Sequence, residues 1–135
     1  MLGAAFLVRC KFRLPAGARS LNMQRDHEMP FQKLEAYRFA RELAKRVHES
    51  KIRDNELRDQ ASRASKSCFL QLCEGLPSSS VAMRRKYFEC AIGSLHETVG
   101  AVDLAAAIGA VSEEHARAVQ GSAVRLKGLL RGLLR

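Results

Sequence analysis

Tryptophan is absent from this 135-residue chain, and all aromatic residues together make up only 6% of it. A core without large rings must be assembled from Leu, Ala, Val and Ile, which suits closely packed helices. Proline is scarce as well. Beyond Pro30 only Pro77 interrupts the chain, and no Asn-Gly or Asp-Gly pair marks a hairpin, so a β fold joined by tight turns is excluded. No apolar run approaches the roughly 18 residues of a membrane span. The four cysteines form no Cys-x-x-Cys pair and no framework spacing, which argues against a disulfide-stapled or zinc-binding module. Cys68, Cys73 and Cys90 fall among apolar neighbours, where a free thiol behaves as a small hydrophobe. They point to a reducing, cytoplasmic setting.

Acidic charge is also short: 14 Asp and Glu stand against 23 Lys and Arg, for a net charge of +9. Such an excess makes a polyanion the natural partner, although it serves solubility equally well. Residues 1–28 carry five basic and two acidic residues, +3, which leaves +6 on the remainder. The length suits one domain with a core of its own. Residues 1–29 read as a leader, either disordered or lying upstream of a true start at Met23 or Met29, and residues 30–135 read as the folded domain.

The folded part shows helical periodicity throughout. Helix one is expected over about Phe31–Ser50, with Phe31, Leu34, Tyr37, Ala40, Ala44 and Val47 inward. "SKIRDN" breaks the pattern. Helix two follows from near Asp54 to Gly75, with Leu57, Ala61, Ala64, Cys68 and Leu72 inward; Gly75 reads as a C-terminal glycine ahead of Pro77. Ser80 is placed to cap helix three, about Val81–Ile108, which turns Phe88, Ala91, Ile92, Leu95, Val99, Val102 and Ala106 inward and stops at Gly109. Ser112, Glu113 and Glu114 open helix four, whose inner face is Val119, Ala123, Leu126, Leu130, Leu133 and Leu134. Four such helices with short connections define an all-α, antiparallel up-down four-helix bundle.

Two of these helices carry glycine where it is costly, at about 1 kcal/mol relative to alanine. On helix three, Gly93 and Gly100 share an arc with Glu89, His96, Asp103 and Ala107, opposite the apolar face. Helix four repeats the device with Gly121, Gly128 and Gly132. Either these are tolerated exposed glycines, or they let a neighbouring backbone come close; Gly93, His96, Gly100, Gly121 and Gly128 are then candidate subunit-interface residues.

The segment "CEGLPSSSVAMRRKYFECAIGSLHE" resembles the joint between helices two and three in the 23S rRNA intervening-sequence family of bacterial four-helix bundle proteins. Glu74-Gly75, Ser80, Tyr87-Phe88 and Gly93-Ser94-Leu95-x-Glu97 match that family's motif in order and spacing. "FQKLEAYRFARELAKRVHE", "LRDQASRAS" and "AIGAVSEE" are similar to its first helix, second-helix entry and last turn. Gln71 stands where an asparagine is usual, Pro77-Ser78 where Gly-Arg is frequent, and Tyr37 where a tryptophan is common. The resemblance implies a ring-like homopentamer without established catalysis. More distantly, the chain is similar to the accessory variability determinant of diversity-generating retroelements, a basic pentamer that binds a reverse transcriptase and nucleic acid.

Enzymatic signals are thin. No glutamate is followed three residues later by histidine, as a di-iron bundle requires, and His27, His48, His96 and His115 share no motif, so the sequence points to no metal and no cofactor. Arg41 and His48 fit the arginine–histidine spacing of some helical-bundle ribonucleases or toxin-type components, yet lie equally well on a solvated basic face. The candidate nucleic-acid-binding residues are Arg38, Arg41 and Lys45; Arg63 and Lys66; Arg84, Arg85 and Lys86; and Arg125, Lys127 and Arg131. The expected product is a non-enzymatic scaffold for RNA, another polyanion or a protein partner, without membrane association.

Overall fold

Leu34 decides where the first helix begins. In the computed structural model, which describes residues 28–135, this residue is extended, with φ −68° and ψ 139°. A 3-10 turn over Pro30–Lys33 leads into it, with Pro30 at the first position, where a missing N–H is harmless. The regular helix α1 is therefore Glu35–Glu49. The expectation of one continuous helix from Phe31 is corrected by this break, which resets the phase. Leu34 is left 39% exposed, while Leu43, absent from the expected stripe, is fully buried at 0%. The expectations for the leader lie outside the described residues.

The other three helices start on side-chain caps. Asp54 Oδ1 accepts from Leu57 N at 2.9 Å and opens α2, Asn55–Gly75. Ser80 Oγ accepts from Met83 N at 3.3 Å and opens α3, Val81–Ala107. Ser112 Oγ accepts from His115 N at 3.2 Å and opens α4, Glu113–Leu133, with Glu113 and Glu114 in the dipole-favoured first turn. Gly109 ends α3 at φ +74°. Its amide donates to Ala106 O at 3.0 Å and that of Ala110 to Ala105 O at 2.8 Å, the paired bonds of a Schellman motif.

Each helix packs on two neighbours, in the order α1–α2–α3–α4 and back to α1, with α2 against α3 the most extensive pairing. The neighbours are antiparallel. Ser67 and Ser94 hydroxyls meet at 3.0 Å and Gln60 donates to Glu97 across α2–α3. Gln120 donates to Asp103 at 3.3 Å across α3–α4, and Arg125 pairs with Glu35 at 3.0 Å across α4–α1. The α1–α2 and α3–α4 loops share one pole, joined by Arg53 N donating to Ala110 O at 2.9 Å. The α2–α3 loop and the two ends of the described chain share the other. Among the described residues there are four helices and no strands.

Leu43, Ile52, Leu72, Phe88, Leu95, Leu126 and Leu130 fill the centre. The buried hydroxyl of Thr98 donates to Ser94 O at 2.9 Å, and among the described residues no buried side-chain nitrogen or oxygen lacks a partner. Apart from Leu72, the buried residues of α2 are small: Ala61, Ala64, Ser65, Cys68 and, at its end, Gly75. The helix ends at Gly75 as expected, but not through a left-handed cap. Gly75 has no positive φ, and the cap, Leu76, is right-handed. Its role is contact: a Cβ there would lie 2.7 Å from Phe88 Cε1 and 2.9 Å from Tyr87 Cβ. Cys90 is likewise not among apolar neighbours but exposed, on the outer side of α3, whereas Cys68 is buried and Cys73 half-buried.

Candidate functional site

Gly93, Gly100, Gly121 and Gly128 are all exposed, and a Cβ built on any of them meets nothing within 4 Å. None has a positive φ. Nothing among the described residues requires glycine at these positions. Of the four, Gly100 lines a largely apolar groove of about 470 Å³ between α3 and α4, together with Leu95, His96, Val99, Gln120, Ala123, Val124 and Lys127. Val124, 75% exposed, is the most open large hydrophobe on its rim.

The basic residues singled out in the sequence do not form one surface. On α4, Arg125 turns toward α1, where its guanidinium lies 4.7 Å above the Phe39 ring, whereas Lys127 turns toward α3 and lines the groove. Lys45 pairs with Glu49 at 3.8 Å and Arg85 with Glu89 at 3.1 Å. Arg63 rests on Gln60 at 3.2 Å. Arg38, Arg84, Lys86 and Arg131 are exposed. Arg41 sits 5.9 Å above the Tyr37 ring, and His48 lies two turns further along the same helix, in a separate cleft. Arg41 does not line that cleft, so the proposed ribonuclease pair is not brought together at one concavity.

That cleft, of about 500 Å³ at the loop pole, gathers what the sequence reading missed. It is lined by Val47, His48, Lys51, Ile52, Arg53, Arg58, Asp59, Ser62 and Lys66. Of the expected candidates only Lys66 and His48 enter it. Lys51 and Arg53 stood in a stretch read only as a helix break, and Arg58 in the entry of helix two without a binding role; closure of the α1–α2 hairpin brings them to Lys66. A cation-rich connection between two helices was the available signal.

The motif residues resolve into physical roles along the α2–α3 seam. Gly75 admits Phe88 and Tyr87, Ser80 caps α3, Ser94 bonds Ser67, Leu95 enters the core and Glu97 accepts from Gln60. Tyr37, buried, packs against Phe31 and Phe69 at ring-centroid distances of 5.6 and 5.1 Å. Only Glu74 and Gly93 have no such intrachain role. This seam is where the signature is densest, and the family model of 23S rRNA-intervening sequence proteins matches residues 32–132. The chain belongs to this family. A comparison with curated proteins finds no match.

In this intervening-sequence protein the thiols differ by environment. Burial pushes Cys68 up from an ordinary 9.0 to about 12, and Cys73 is raised by burial and by the nearby Glu74 carboxylate. A raised pKa leaves both as weak nucleophiles. Among the described residues no cluster of three or more His, Cys, Asp or Glu side chains is arranged for a metal ion. No described helix is long and apolar enough to cross a membrane.

Proposed function

We propose that this protein is a non-enzymatic, cytoplasmic oligomeric scaffold, a closed homopentamer as its family resemblance implies, whose copies meet through the outer faces of α3 and α4. The reading rests on one observation: four helix-interior glycines face outward and have no partner among the described residues. At about 1 kcal/mol each relative to alanine, they cost about 4 kcal/mol, a large share of the ordinary stability of a domain. Close approach of another backbone offsets that cost, because small residues shorten the distance between helix axes. The adjoining apolar groove supplies surface for burial. A head-to-tail contact of this kind closes into a ring when its rotation fits the circle.

The basic outer surface, part of a chain of net charge +9, suits this scaffold to RNA or another polyanion, with repetition around the ring adding avidity. Native mass spectrometry with and without RNA, at two salt concentrations, reports subunit number, bound nucleic acid and its salt sensitivity together. The double variant Gly93→Leu, Gly100→Leu is expected to dissociate the assembly. Unchanged sedimentation at micromolar concentration would refute the interface. The alternative, a ribonuclease or toxin-type component, gains support only if purified protein cleaves RNA and His48→Ala abolishes it.

A further inference from the structure

We propose that the cleft between α1 and α2 at the loop pole binds the phosphodiester backbone of a single nucleic-acid strand. The proposal rests on the polyanion reading above and assigns it a place.

Four cations, Lys51, Arg53, Arg58 and Lys66, line the cleft against one carboxylate, Asp59. That carboxylate is engaged by Arg58 Nε at 3.9 Å, and among the described residues Lys51, Arg53 and Lys66 have no acidic partner within salt-bridge reach. Of the nearby acids, Glu49 pairs with Lys45, Asp54 caps α2, and Glu56 does not line the cleft. Arg53 is fixed at the lip by donating to Gly109 O, which leaves further guanidinium donors for a phosphate. Arg58, Ser62 and Lys66 follow one another on a single face of α2 at about 6 Å per step, so successive phosphates of an extended strand meet a donor at each turn.

Lys51 adds a backbone argument. It holds φ 51°, among the described residues the only non-glycine in the left-handed region. Lysine there is strained where glycine or asparagine would be relaxed, and such strain concentrates at binding sites. Val47 and Ile52 form the buried floor of the cleft, and the exposed His48 ring is the surface against which a sugar or base can lie. A cleft of about 500 Å³ is within the range of small-ligand pockets.

The test compares two triple variants of equal charge. Lys51→Asn, Arg58→Gln and Lys66→Gln empty the cleft, asparagine being tolerant of the left-handed backbone. Lys33→Gln, Arg117→Gln and Arg135→Gln remove the same charge from exposed positions outside the cleft. Binding of labelled oligouridylate and of the matching DNA is read by anisotropy at about 50 and 200 mM salt. The cleft variant is expected to lose tenfold or more in affinity, and to lower the salt slope by about 2, at roughly 0.7 per single-strand phosphate contact. The control variant is expected to lose less than threefold. Equal losses from both variants would overturn the cleft while leaving polyanion binding intact. Absence of binding by the unaltered protein at low salt would sink both readings. Preference for polyglutamate over RNA of equal charge would overturn the assignment to nucleic acid, and the DNA arm reports whether the 2′-hydroxyl is read.

Discussion

Replacing Gly75 by alanine isolates the tightest approach between α2 and α3. Helix propensity alone favours the change, by up to about 1 kcal/mol. The packing opposes it, because the new methyl group would lie 2.7 Å from Phe88 Cε1, 3.0 Å from Phe88 Cδ1 and 2.9 Å from Tyr87 Cβ, against a comfortable carbon–carbon separation of about 3.5–4.0 Å. Phe88 is fully buried and cannot swing into solvent, and Tyr87 Cβ moves only with the α3 backbone. Relief requires the two helices to part, and overpacking of this kind costs about 1–3 kcal/mol. The net expectation is a loss of about 1–2 kcal/mol, read as a shift in the urea midpoint at constant slope. Phe88→Leu removes part of the obstruction. In that background Gly75→Ala should cost less by at least about 0.5 kcal/mol, a coupling that a double-mutant cycle measures. A stabilised Gly75→Ala protein, or strictly additive single changes, would refute the close-contact account and return Gly75 to the role of an ordinary helix terminator.

Three further expectations follow from the same packing. Leu126→Ala, at a fully buried position, should destabilise by about 2–5 kcal/mol, whereas Val124→Ala on the groove rim should change chain stability by under about 0.5 kcal/mol and weaken self-association, which equilibrium sedimentation separates. Asp54→Ala and Ser112→Ala each remove a helix cap and should cost about 1 kcal/mol apiece in urea titrations. At pH 8 a thiol reagent should modify exposed Cys90 rapidly and buried Cys68 only on unfolding. Because the folded state holds Cys68 neutral up to about 12, against an ordinary 9.0, the unfolded chain loses its proton first. Stability should then be complete below about pH 9 and fall as pH rises toward 12, a loss that Cys68→Ser should reduce.

The helices were legible because their punctuation is local. Asp54, Ser80, Ser112 and Gly109 act on amides and carbonyls within a few residues, so their roles can be read without knowing the fold. The start of α1 was less so, since Leu34 fits an apolar stripe perfectly well and only its extended backbone shifts the register toward Leu43. Gly75 shows a different limit: a glycine near a helix end has a ready local explanation, while its steric reason lies on another helix. The glycine stripes were found because periodicity alone places them opposite the core. The basic cleft was missed because Lys51 and Arg53 lie in the α1–α2 loop, which periodicity treats as an interruption, and only hairpin closure brings them beside Arg58 and Lys66 of α2.

With an even number of alternating helices, Glu28 and Arg135 leave the bundle at the pole away from Lys51 and Arg53. A fluorophore, tether or fused enzyme joined after Arg135 therefore projects to the far side from a strand lying in the cleft. In a closed ring of copies, every such attachment would emerge on one rim and every cleft would open on the other, making the particle a two-sided adaptor.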